Sequence, residues 1–193
     1  MTRNSARGFS ILELVVVLGV IGVLAAVAVP RMGTVRSSDD THSLSNALSL
    51  AKLRAASNFS QSRVFVDVGA RRYHIESWRK TGVPGWVALT GPTLLASGDA
   101  FVFAPVNAPP PDTQPAINQA PACRDDAGVV IAGTACVVFN SRGIPVDFTG
   151  TPTNADAFYV TDGTIVGAVT VSATGLISVW NTRSQATPAW AHK

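Results

Sequence analysis

Apolar and polar residues are segregated along this chain into three successive patterns. From Leu14 to Val29, 16 consecutive residues carry neither a charge nor a strong hydrogen-bonding side chain, and Phe9 to Leu12 extend the run upstream, interrupted by Ser10 and Glu13. Wound as a helix, the 21 residues Phe9–Val29 rise roughly 31 Å, the thickness of a bilayer's hydrocarbon core. Residues 31–62 then contain no proline and set Leu44, Leu48, Ala51 and Ala55 at the i, i+4, i+7, i+11 spacing of one helical face. This predicts a helix that continues from the apolar segment into a globular head, with Leu50, Leu53 and Phe59 widening its buried stripe.

After Gln61 the period falls to two. Val64, Val66 and Val68 alternate with Phe65 and Asp67, residues 69–72 read as a turn, and Tyr73–Trp78 alternates again, which predicts a β-hairpin. Further β-like runs at Trp86–Thr90, Ala100–Phe103, Ala135–Phe139, Ala157–Val160, Thr164–Val171 and Leu176–Trp180 are separated by Gly, Pro, Asn and Asp. They predict an α+β class, a long helix packed on antiparallel sheets. Between Pro105 and Pro121 six of the twelve prolines fall within seventeen residues, so that stretch is a loop.

Composition and charge narrow the picture. With 193 residues, 47% hydrophobic and 14% charged, the chain is neither a disordered polymer nor long enough for two full domains. Arg3 and Arg7 precede the apolar run with no acid among the first eight residues, which orients the N-terminus to the cytoplasm and the remainder across the membrane. One alternative is a secretory signal peptide cut after the small-x-small site Ala26-Val27-Ala28, releasing a secreted β-rich protein. Glu13 argues against it, because a carboxylate inside an apolar segment costs roughly a few kcal/mol unless it is paired, and a discarded peptide has no use for one.

The stretch Arg7-Gly8-Phe9-Ser10-Ile11-Leu12-Glu13-Leu14, followed by a Val/Leu/Gly/Ala helix and Pro30, resembles the class III leader of type IV pilins and pseudopilins. The resemblance implies a pilin fold in three parts: a leader (1–8), a transmembrane and assembly helix (9–30), and a periplasmic head (31–193), helical to residue 62 and β-rich beyond. It implies a cut by a prepilin peptidase between Gly8 and Phe9, methylation of Phe9, and docking of the new amine against Glu13 of a neighbouring subunit. Gly22 and Pro30 stand where such helices loosen in a filament. The head's outline, with its Asn140-Ser141-Arg142-Gly143 turn and closing Gly175–Trp180 strand, is similar to minor pilins and pseudopilins of the FimT and GspH type. The partners implied are other subunits, the peptidase, the inner membrane and an assembly platform, in a type IV pilus or a type II secretion pseudopilus.

Cys123 and Cys136, outside the cytoplasm, are expected to form a disulfide that contributes about 3 kcal/mol by closing a loop on the order of 14 residues. No phosphate loop, nucleophile elbow or metal-spaced His/Cys set is present, so no cofactor, metal or enzymatic activity is expected. Residues 52–80 hold seven bases against two acids and residues 81–182 two bases against seven acids, a polarity suited to stacked subunits. Within the basic half, Arg71, Arg72, Arg79 and Lys80 are interleaved with Tyr73 and Trp78, and the FimT-like alternative makes them a DNA-binding patch.

Overall fold

The computed structural model describes residues 11–28 and 32–193. Helix α1 (Ile11–Ala28) is apolar all round apart from Glu13 in its first turn, and each side chain from Ile11 to Leu24 is exposed. Helix α2 (Met32–Ser57) turns Leu44, Leu48, Ala51 and Ala55 inward, all fully buried. Leu50 and Leu53 are exposed instead, because 100° per residue carries them off the narrow buried stripe, and Phe59 is exposed past the end of the helix. The helix also stops short of the expected residue 62. Phe59 adopts a positive φ of 48°, Ser60 N–H donates to Ala55 C=O (3.1 Å) and Phe59 N–H to Ala56 C=O (3.3 Å), the paired bonds of a Schellman stop.

The hairpin forms as β1 (Ser62–Asp67) and β2 (Arg72–Arg79), with Phe65 opposite His74. It is extended by β3 (Gly85–Ala88), β4 (Thr93–Leu94), β5 (Thr134–Phe139) and β6 (Pro145–Val146) into one antiparallel sheet of order β3-β2-β1-β5-β6, with β4 also on β2. A second antiparallel sheet, order β10-β9-β8-β7, is built from β7 (Ala155–Thr161), β8 (Ile165–Ser172), β9 (Ile177–Arg183) and β10 (Ala191–His192). The run at 100–103 is not a strand: Ala100 makes only an isolated bridge to Thr161. Helix α2 packs on β1, β2 and β5 of the first sheet and on β7, β8 and β9 of the second. The core between them collects Val64, Val66, Ile75 and Val137 from one sheet and Phe158, Val160, Val169 and Val171 from the other.

The two sheets differ on their far faces. The second is covered there by the Pro-rich stretch, where Val106 packs on Tyr159, Val166 and Ala168 and Trp190 Nε1–H donates to Ala108 C=O (3.0 Å). Gln119 completes the β7 edge, its amide nitrogen donating to Tyr159 C=O and its oxygen accepting from Tyr159 N–H. Burial on both faces explains why β7 and β8 read as continuous apolar runs in the sequence. The sheets meet under α2, where Lys52 Nζ donates to Gly175 C=O (2.9 Å) and a Cβ on Gly175 would lie 2.2 Å from Gly143 O. Only glycine fits that approach.

Candidate functional site

Because Val64 and Val66 face the helix, the alternation of β1 turns Arg63 and Phe65 to the opposite face of the first sheet. There the segment 121–128 and the loop after β6 overlie the strands and enclose a cleft of about 380 Å³. A disulfide joins Cys123 in that segment to Cys136 in β5, and both cysteines line the cleft. Trp78 and Trp86 are cross-strand partners on its wall, their rings edge-to-face at 5.4 Å.

Arg63 is only 3% exposed, yet its polar groups are well served. Its Nε–H donates to Glu76 Oε2 (2.6 Å), its Nη1–H to Arg124 C=O (2.6 Å), and its guanidinium lies 3.9 Å from the Trp86 ring centroid. Burial pulls its pKa below the ordinary arginine value, opposed by the charge and hydrogen bond of Glu76 and the charge of Asp126. Glu76 is the natural counter-ion, and its other oxygen meets His74 Nε2 at 2.9 Å. The Arg63–Glu76 pair therefore adds no net charge to the cleft.

Three carboxylates stand around the same space. Asp126 Oδ1 accepts from Trp86 N–H (2.8 Å), and Asp147 Oδ1 accepts from the N–H groups of Thr149 and Thr151 and from the Thr149 hydroxyl. Asp156, 7% exposed, takes the Thr153 hydroxyl on Oδ2 at 2.8 Å. In each case one oxygen holds the local chain. Burial raises the pKa of Asp156, whereas the turn hydrogen bonds, led by the Thr149 hydroxyl, lower that of Asp147. Phe148 lies across Gly128, where a Cβ would come within 2.3 Å of the ring, and the Arg124 guanidinium is 5.6 Å from the Phe148 centroid.

The residues singled out from the sequence are distributed differently. Glu13 sits in the first turn of α1, exposed, and Gly22 has open space around it. Gly8, Phe9 and Pro30 lie outside the described residues. Among the described residues no helix is long and apolar enough to cross a membrane. The 18 residues of α1 rise about 27 Å, and the longer span expected from the sequence includes Phe9, Ser10 and Val29, which fall outside them.

The four bases of the suggested DNA patch are not brought together. Arg71 occupies the β1–β2 turn at φ 52° and Arg72 pairs with Asp67 at 3.2 Å, whereas Arg79 donates to Val83 C=O and Lys80 to Phe59 C=O at the far end of β2, roughly 24 Å away along the strand. The aromatic cleft, in contrast, was not among the expectations. Its faint signal was an arginine directly before the Val64-Phe65-Val66 run of β1 and two tryptophans flanking a Gly82–Gly85 turn.

Residues 3–29 match the family model of the prokaryotic N-terminal methylation motif. Among solved structures, the minor pseudopilin EpsH from the type 2 secretion system of Vibrio cholerae is similar, at 14% sequence identity and a TM-score of 0.37, over 82% of this chain and 96% of that one. No curated protein matches the chain in sequence.

Proposed function

We propose that this chain, which carries a prokaryotic N-terminal methylation motif, is a structural subunit of the pilin and pseudopilin kind, a minor component of a type IV pilus or a type II secretion pseudopilus. The observation that carries the reading is the junction of that motif with α1, a helix apolar all round but for Glu13, whose described side chains are all exposed. Such a surface needs lipid or other helices around it. In this reading the inner membrane covers it before assembly and neighbouring subunits cover it afterwards, while the head stands in the periplasm.

The mechanism is assembly. A prepilin peptidase cuts between Gly8 and Phe9, the new amine is methylated, and Glu13 of an adjacent subunit neutralises it in a medium where opposite charges attract strongly. Gly22 and Pro30 give the helix places to loosen as it is extracted by an assembly platform. The test is the mass of the intact N-terminal peptide from native membranes. A methylated Phe9 start is expected, and a Val29 start, left by removal of a signal peptide, overturns the reading.

A further inference from the structure

We propose that the turn after α2 and the loop between β2 and β3 form a tip that docks on the anionic headgroups of the bilayer holding α1. The starting point is the residue at the helix stop. Phe59 takes a positive φ of 48°, in the place of a glycine, and is 76% exposed. Glycine would make the same stop without strain, so what the phenylalanine adds is a ring that its own fold leaves uncovered. Strain kept without a return inside the fold is a signature of a contact outside it.

A second apolar side chain shares this end of the head. Val83, in the β2–β3 loop, is 75% exposed, and both residues are tied to adjacent bases at the end of β2: Arg79 Nε–H donates to Val83 C=O (2.9 Å) and Lys80 Nζ–H to Phe59 C=O. Arg54, exposed in the last turn of α2, is a third base, and none of the three pairs with a carboxylate among the described residues. Residues 52–60 and 77–84 contain no acid, and Asp126, at the foot of the loop against Gly85, already accepts from Trp86 N–H. The charge therefore calls for an anionic partner. Neither Phe59 nor Val83 lines the cleft or the groove between α2 and β2, and both stand on protruding turns. Protruding apolar groups among bases suit a bilayer interface, where they enter below the phosphates while the cations stay level with them. An acidic protein surface would answer the charge but would need a pocket shaped for each protrusion. The bilayer is within reach: α2 is 26 residues long, about 39 Å, and only residues 29–31 separate it from α1, so a head lying along the membrane brings the tip to its surface.

This inference deepens the subunit reading and rests on it for the bilayer that anchors the chain. The test uses the full chain in lipid nanodiscs, made either of phosphatidylcholine alone or of equal parts phosphatidylcholine and phosphatidylglycerol, each with a trace of dansyl-labelled lipid. The native donor is Trp78, whose C=O accepts from the Ser60 hydroxyl beside the tip. Energy transfer from tryptophan to dansyl is expected to be on the order of twofold greater in the anionic discs, and to return to the neutral level in about 0.5 M sodium chloride. Phe59→Gly relieves the backbone strain, so it should fold at least as well as the wild type and still lose most of that rise; Val83→Ser should lose part of it, with circular dichroism unchanged in both. Equal transfer in the two kinds of disc, or a rise that survives both substitutions, overturns the proposal. Soluble poly-glutamate that brings the rise down to the neutral level overturns the bilayer in favour of an acidic protein segment. A chain that fails to enter discs overturns the subunit reading and the tip with it, whereas one that enters without the charge-dependent rise overturns the tip alone.

Discussion

Asp156 is a carboxylate whose burial works against the stability of the fold. It is nearly buried, its single hydrogen bond comes from Thr153, and burial holds its pKa above the ordinary 3.8. A carboxyl whose pKa is raised on folding leaves stability intact below its unfolded value and diminishes it as pH rises through the folded value, because the native state retains a proton that the unfolded chain has released. Stability of the wild-type chain should therefore decline as pH climbs from 3.8 through the raised value. Asp156→Asn, neutral throughout, should match the wild type at the acid end and exceed it at neutral pH. Urea midpoints of the two chains across that range check the sign, and a mutant less stable at neutral pH would contradict it. Asp147 has the opposite environment, exposed and held low by its turn, and its contribution fades only as the solution becomes acidic. Neither difference was legible in the sequence, where both are isolated loop or strand acids and only the fold assigns one to an interior and the other to a surface turn.

At the level of elements, the stop of α2 is made by an unsuited residue. Phe59 takes the left-handed conformation that glycine adopts freely, a strain of roughly 1–2 kcal/mol for an L side chain, and its ring is 76% exposed, so little packing offsets the cost. Phe59→Gly should raise stability by about 0.5–1 kcal/mol after the extra freedom of glycine in the unfolded chain is subtracted, read from the denaturant midpoint. The elements that could be read from sequence are those with one periodic face or two dry ones. The stripe from Leu44 to Ala55 and the runs in β7 and β8 are of this kind, since burial imposes the pattern directly. The pattern runs α2 on to residue 62 because a phenylalanine in a glycine's position carries no compositional mark of a stop. The two-residue strands β4, β6 and β10 are illegible for another reason: their hydrogen bonds are supplied by neighbours, and two residues hold no period.

Across the whole molecule, the motif and the cleft lie at opposite extremes of legibility. The methylation motif is contiguous, so its Gly8, Phe9 and Glu13 spacing survives in one line of sequence. The cleft draws Arg63, Trp78, Trp86, Asp126 and Asp156 from five separate segments, and only strand pairing and a disulfide bring them together. Contiguity also shapes what a mutation at the N-terminus can do. Glu13→Ala removes a charge from α1 without touching the head, so membrane insertion should remain and incorporation into filaments should be abolished, as measured by the protein recovered in sheared filaments against membranes. Normal incorporation would contradict its role as the docking charge.

The register of β1 has a further consequence, for the order in which the head acquires its shape. One side of β1 is met at once by β2 across a short turn, but the other side pairs with β5, Asp67 opposite Thr134, after the whole Pro-rich stretch has passed. A chain in which β1 and β2 form before β5 has been made thus presents an unpaired strand edge while the intervening residues are still arriving, and such an edge is a template for wrong pairing. Cys136 lies opposite Phe65 on that same late strand, and its bond to Cys123 draws the covering segment over it. Oxidation of the two thiols is therefore a timestamp: it records when the central strand has gained its second neighbour and the interval of exposure has ended.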